Sequence, residues 1–289
     1  MQKALIVING YKIADGIAHQ VSRLQDEFSK RGVQVDVKKN NELLAFIEKG
    51  TIKSNISGYY IVVYLDKDRY IAEMLEKCGL RLFNKVSSIV KCDDKMLTHI
   101  TLANHGIKMP TTISSTLCYT DDGNRDYLKA VEKKLGFPLI VKENYGSLGK
   151  QVYFVENSAE LKQIEDKLIH VNHLFQEFVS SSKGVDIRII VIGHKPIAYM
   201  KRENKHSYLS NLATGGKASV VKIPQEYLDV AIKASEILDL DYCGVDVLIG
   251  PNEEPIISEV NSNAFYEGIE KTTGINVAGA YVDYILKSI

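Results

Sequence analysis

The chain has 289 residues, 45% of them hydrophobic and 25% charged, the composition of a soluble globular protein long enough for more than one core. Thirty-six Lys and Arg balance thirty-six Asp and Glu, so the formal net charge is zero; nucleic-acid binders usually carry a basic excess, and that class is disfavoured. No apolar run approaches the ~20 residues of a membrane span, and Cys78, Cys92, Cys118 and Cys243 form no CxxC pair, so reduced thiols in a cytoplasmic protein are expected and a zinc knuckle is not.

KALIVI (3–8) reads as a buried strand. The opening MQKALIVING runs straight into polar sequence with no small-residue cleavage site, which argues for a strand and against a signal peptide. A helix is expected over 14–31, where Ile17, Val21, Leu24 and Phe28 recur at helical spacing before the stop at Gly32. VQVDV (33–37) and YYIVVYL (59–65) read as strands, and 69–78 as a helix ending at Gly79. This alternation predicts a small parallel α/β domain over residues 1–90. It has no GxGxxG after its first strand, so a dinucleotide fingerprint is absent.

The pattern changes near residue 91. CDDKMLTHITLANHGIKMP (92–110) predicts a helix capped by Asp93, with Met96, Ile100 and Ala103 on one face and a stop at Gly106. A second helix is expected over 125–136, then a strand, a glycine-containing loop and a strand in PLIVKENYGSLGKQVYFV (138–155), then a helix capped by Ser158. After residue 173 the chain is strand-rich: LFQEFV, DIRIIVIG, KPIAYMKR, VDVLIG and PIISEVN. A helix over 225–238 interrupts it and another closes it. The expected fold class is α/β (α+β), divided as 1–90, 91–175 and 176–289.

The chemistry gathers in the last two parts. ENYGSLGKQ (143–151) holds Gly146, Ser147 and Gly149, whose backbone can approach an anion closely and cradle it with N–H groups. Taken alone, a plain hairpin turn is the stronger reading. Lys142, at the end of the apolar run PLIVK, shifts it, because a partly buried ammonium needs a negative partner such as phosphate. Lys95 is a second candidate cation. In QEFV, the stretch Glu177, Phe178 and Val179 offers main-chain groups and an apolar wall to a nucleotide base. Asp186 and Arg188 alternate on one strand and suit either an ion pair or contacts to a ribose hydroxyl and a phosphate.

Asp246 in YCGVDVLIG and Glu259 and Asn261 in PIISEVNSN are joined by the turn PNEEP, so an antiparallel hairpin places all three on one face. Two acids and an amide form an oxygen donor set that suits magnesium, whereas the absence of His and Cys disfavours zinc. The competing reading is a hydrogen-bonded polar cluster; close like charges favour a cation between them. His170 and His173 read as surface histidines.

Two lysines, a glycine loop and an acidic hairpin together imply ATP, and nearly the whole chain resembles the ATP-grasp superfamily of carboxylate–amine ligases, more narrowly its RimK and LysX branch. The stretches that carry the likeness are DDK (93–95), VKENYGSLG (141–149), QEFV with GVDIRIIVIG, MKR (200–202), SNLATGG (210–216), VDVLI (245–249) and EVNSNAFYEGIEKTTGI (259–275). The resemblance implies a small N-terminal α/β domain followed by two lobes clamping ATP. It puts Lys95 and Lys142 on the ATP phosphates, Gly146 to Gly149 in a flexible lid, Glu177 to Val179 at the adenine and Asp186 on the ribose. Asp246, Glu259 and Asn261 would bind two magnesium ions, with Mn2+ as a substitute and Glu259 bridging them. Lys201, Arg202 and Arg188 would face the transferred phosphoryl group, and Asn211 would lie at the nucleotide. The implied substrates are a small-molecule or peptide carboxylate and an amino-acid-type amine, joined through an acyl phosphate by a dimer or tetramer. The chain departs from the pattern at Leu209 and Thr214, where relatives carry arginine, which weakens the case for a glutamate substrate. The alternatives are a non-catalytic Mg-ATP-binding module and an interaction protein with a coincidental polar hairpin.

Overall fold

The computed structural model describes residues 3–11, 15–120 and 124–289, so the expected helix start at residue 14 lies outside the described residues. The first part contains β1 (Lys3–Ile8), α1 (Asp15–Lys30), β2 (Gln34–Lys39), the hairpin β3 (Ala45–Glu48) and β4 (Thr51–Ser54), β5 (Ile61–Tyr64), α2 (Arg69–Lys77), β6 (Leu82–Phe83) and α3 (Val86–Asp93). Four strands pair in parallel in the order β2-β1-β5-β6. Every residue of β5 is buried, as expected for a parallel strand covered on both faces.

The middle part contains α4 (Lys95–Leu102), β7 (Thr112–Ser114), α5 (Tyr127–Leu135), β8 (Leu139–Glu143), β9 (Val152–Val155), α6 (Ser158–Leu168) and β10 (His173–Glu177). Its sheet is antiparallel, in the order β7-β10-β8-β9. The apolar stripes of α5 and α6, with Leu128, Val131, Leu161 and Leu168, close over Leu139, Val141 and Phe175.

The last part contains β11 (Val185–Ile192), β12 (Lys195–Glu203), β13 (Lys217–Ser219), α7 (Gln225–Ile237), β14 (Tyr242–Ile249), β15 (Pro255–Asn261), α8 (Glu267–Thr273) and α9 (Val277–Lys287). Its sheet has the order β13-β12-β11-β14-β15. Because strand side chains alternate, Ile187, Ile189 and Val191 of β11 pack into a core with α7, while Ile190 and Ile192 join a second core. That second core also takes in residues of β1, β5, α1 and α9, so the N-terminal sheet and the last sheet share one apolar interior.

A polar seam lines the same junction. Glu27, 2% exposed in its side chain, is held by Lys30 at 2.7 Å, Arg31 at 2.7 Å and Asn276 at 3.1 Å. Arg23 reaches Glu270 at 3.1 Å and Arg31 reaches Asp283 at 2.6 Å.

Three local expectations are corrected. The stretch 92–110 is not one helix: Asp94 is extended (φ −90°, ψ 108°), ends α3 and caps α4 by accepting the Leu97 N–H at 3.0 Å, so the cap is Asp94 and not Asp93. The helix expected behind Ser158 is capped instead by Asn157, which accepts the Glu160 N–H. Cys92, Leu102, Ile107 and Met109 pack with the last sheet, so the packing changes closer to β7 than to residue 91.

Candidate active site

The register of the last sheet gathers the charged residues. Asp186 stands opposite Arg202, Arg188 opposite Asp246, Asp246 opposite Glu259, and Gly244 opposite Asn261. With a side-chain period of two, Asp186, Arg188, Arg202, Asp246, Glu259 and Asn261 therefore share one face. The opposite end of that face is apolar and packs against the N-terminal part.

Arg188 grips Asp246 with both ends of its guanidinium: Nε donates to Oδ1, and Nη2 donates to Oδ2 at 2.7 Å. Arg202 donates to both oxygens of Asp186, through Nε at 2.7 Å and through Nη2, and lies 3.0 Å from Asp246 Oδ1. Burial favours neutral Asp246, but the two guanidinium groups outweigh it and hold the carboxyl below its ordinary value. Glu259 differs: among the described residues its carboxylate makes no hydrogen bond or ion pair, although it stands directly across the ladder from Asp246. A free carboxylate, a neighbouring acid and the Asn261 amide form a hard oxygen set that fits magnesium, which commonly takes one or two carboxylates and fills its remaining positions with water and phosphate oxygens.

The middle sheet supplies the lysines. Lys142, on β8, is buried and its Nζ lies 3.4 Å from Ser258 Oγ. Ser258 is the extra residue of a bulge, because Asp246 pairs with Glu259 while Val247 pairs with Ile257. Burial pushes the Lys142 ammonium down to about 8; Lys95 adds to this, while Glu259 and Asp246 oppose it. Lys95, on the first turn of α4, donates to the Gly146 carbonyl at 3.1 Å. The Ser147 N–H donates to Gln151 Oε1 at 3.2 Å, so an internal carboxamide engages a loop amide of the type that cradles anions. Gly146 and Gly149 have φ of +148° and +76°, a region that disfavours residues with a Cβ.

The remaining expected residues fall as follows. Glu177 ends β10 with its carboxylate on the Thr111 N–H at 3.1 Å, Val179 is buried, and Phe178 meets Phe154 edge-on with ring centroids 5.0 Å apart. Asn211 faces the glycine loop, 3.6 Å from where a Cβ of residue 149 would lie. Asp186 is buried, with both oxygens taken by Arg202 and Ser210, whose hydroxyl donates to Oδ2 at 2.6 Å; it is not open to a ribose hydroxyl. Lys201 is not brought to the cluster. Alternation along β12 turns it to the face opposite Arg202, 3.6 Å from Glu203.

Sequence reasoning missed Ser258, Ser210 and Asn84. The consecutive polar pair Ser258-Glu259 in an otherwise buried strand was the available signal for the bulge. Asn84 lies far from the cluster in sequence, and no local pattern marks it. Its amide donates to the carbonyls of Tyr242 and Ser262, both at 2.8 Å, and so fastens the ends of β14 and β15.

A cation-bearing glycine loop on one antiparallel sheet, facing an acidic hairpin on another, is the arrangement of an ATP-dependent ligase. The fold agrees: D-alanine–D-alanine ligase from Bacillus anthracis, in complex with ATP, superposes with a TM-score of 0.74 at 18% identity, covering 99% of this chain and 97% of that one. Residues 92–285 match the RimK-like ATP-grasp domain, and the chain belongs to the RimK-like ATP-grasp family. A "Probable alpha-L-glutamate ligase" of Maridesulfovibrio salexigens is 37% identical over 222 residues, 75% of this chain and 71% of the relative. Human N-acetylaspartylglutamate synthase A is 33% identical over 228 residues, 78% of this chain and 57% of the synthase. The chain is an enzyme of this class, which joins a carboxylate to an amine with ATP.

Proposed function

We propose that this enzyme activates a substrate carboxylate as an acyl phosphate and passes the acyl group to an amino-acid or peptide amine. The carboxylate oxygen attacks the γ-phosphorus and ADP leaves. The amine nitrogen then attacks the acyl carbon, phosphate leaves, and the amine gives up a proton. The observation that carries this reading is the meeting of two sheets: Lys142 of the middle sheet reaches Ser258, beside the unpartnered carboxylate of Glu259 on the last sheet.

In this reading Lys95 and Lys142 hold phosphate oxygens, and Gly146, Ser147 and Gly149 close over them to exclude water, which would hydrolyse the acyl phosphate. Glu177 to Val179 border the adenine, with Phe178 in its wall. Asp246, Glu259 and Asn261 would hold two magnesium ions, or manganese; when bound, these supply charge neutralisation on the phosphates. Asp186 orients Arg202 rather than touching ribose, and Arg202 faces the transferred group. The three lobes are assigned as 1–90, 91–175 and 176–289, with residues 92–109 packed on the last. The enzyme acts in the cytoplasm as a homo-oligomer.

The amine is the least constrained partner. Both curated relatives are named for glutamate products, whereas Leu209 and Thr214 stand where the family pattern has arginine, so an amine with a less acidic side chain is favoured. The test is ADP release across a panel of acids and amines. Release that requires one acid and one amine together supports the ligase. Tight Mg-ATP binding with no turnover on any pair supports a binding module instead.

A further inference from the structure

Arg188 occupies the ground between the acid and the amide proposed to hold the cation. Its Nε and Nη2 take both oxygens of Asp246. Its other end lies over Gly244, the residue paired with Asn261: a Cβ built on Gly244 would fall 3.0 Å from Arg188 Nη1 and 3.2 Å from Arg188 Cδ. The missing side chain at residue 244 is what lets the guanidinium lie flat there. Asp246 and Arg188 are each about a tenth exposed in their side chains, so this pair is shielded from water and strong.

A carboxylate with both oxygens engaged by one guanidinium must give up part of that pairing before it can bind a divalent cation. Arg202 is differently placed, since its main partner is Asp186 and it merely touches one Asp246 oxygen. We propose that Arg188 is a stand-in for the metal: it neutralises Asp246 in the empty enzyme, is displaced when a cation enters between Asp246, Glu259 and Asn261, and is thereby released onto the nucleotide phosphate. This rests on the reading of that hairpin as the metal site. It makes Arg188 an exchanged group with opposite effects on two ligands: it competes with bare metal and assists the metal–nucleotide complex.

The experiment is Mn2+ binding by electron paramagnetic resonance to nucleotide-free protein, and Mg-ADP binding by calorimetry, for wild type, Arg188→Gln and Arg188→Lys. Melting curves check that each variant is folded. Arg188→Gln is expected to tighten Mn2+ about tenfold and to weaken Mg-ADP by about as much, since a charge-assisted pair is removed from one state and gained in the other. Arg188→Lys keeps the charge but cannot span both oxygens, and is expected to tighten Mn2+ by about threefold.

If Arg188→Gln weakens both ligands, Arg188 orients Asp246 for the metal and the exchange is overturned. If Arg188→Lys leaves Mn2+ affinity at the wild-type value, net charge alone explains the effect, and the exchange is again overturned. If wild-type protein binds neither Mn2+ nor Mg-ADP, the reading of the site itself fails and the exchange with it. Wild-type binding of both without the opposed shifts overturns the exchange alone.

Discussion

Asp246 and Glu259 stand opposite each other across one ladder, yet Asp246 is held by two arginines while Glu259 has no partner among the described residues. Two adjacent acids in so unequal a state assign them different duties. Asp246 is neutralised without a ligand; Glu259 has a place for one.

Glu259→Gln should therefore lower turnover by at least about a hundredfold, the scale of removing a charged group that acts on the transferred phosphoryl. It should leave the melting temperature unchanged or slightly higher, because no ion pair is broken. Steady-state ADP release alongside thermal melting measures both, and an unchanged rate removes Glu259 from the metal site.

Lys142 should give the enzyme a proton-linked affinity. Its folded value of about 8 lies below the ordinary 10.5 because burial penalises the charged form. The free enzyme loses the phosphate-binding charge as pH rises through about 8, so Mg-ADP affinity is expected to fall by up to about tenfold per pH unit above that point. Binding near pH 8.5 should take up a proton, seen as a calorimetric enthalpy that varies with buffer ionisation. The same group makes stability rise with pH between about 8 and 10.5, where the unfolded chain binds more protons. Lys142→Met should abolish the proton uptake; its persistence would assign the linkage elsewhere.

The glycine loop offers a third test. An alanine at position 149 would have to adopt φ of +76°, and its Cβ would lie 2.9 Å from Leu209 Cδ1. The left-handed conformation costs a non-glycine residue about 1–2 kcal/mol. Gly149→Ala is expected to raise KM for ATP roughly fivefold to tenfold while global stability barely changes, because the strain falls on a loop. Wild-type KM would place the loop away from the nucleotide.

Acid should loosen the joint between the first and last parts of the chain. Burial raises the Glu27 carboxyl, but hydrogen bonds from Lys30, Arg31 and Asn276 outweigh it and lower the group from 4.5 to about 2. Its stabilisation is thus fully present above about 4.5 and is lost as pH falls toward about 2. Glu27→Gln should cost about 1–3 kcal/mol at neutral pH, since it leaves partly buried cations unpaired. The deficit should shrink below pH 4.5, as denaturant unfolding at several pH values would reveal; a deficit independent of pH would trace it to packing instead.

Much of this molecule is written locally. The alternation of strands and helices, the helical stripe of Leu24 and Phe28, and the spacing of Asp246, Glu259 and Asn261 follow from side-chain periods of 3.6 and 2, which the sequence carries unaided. The same period already turns Lys201 away from Arg202, so that misplacement was legible in the sequence. The Asp94 cap was harder, because Asp93 and Asp94 are equally good capping residues and the choice depends on where α3 ends.

Tertiary structure alone decided how the pieces meet. Lys142 and Ser258 lie 116 residues apart, Arg188 and Asp246 58. Neither pair has a local signal, because each depends on strand register and on the approach of two separately formed sheets. The sequence determined which charges the chain carries and toward which strand face they turn. Folding decided that a one-residue bulge would bring Ser258 to Lys142, that Arg188 and Arg202 would neutralise Asp246, and that Glu259 would be left open, because burial makes each charge depend on its partners in space rather than on its neighbours in the chain.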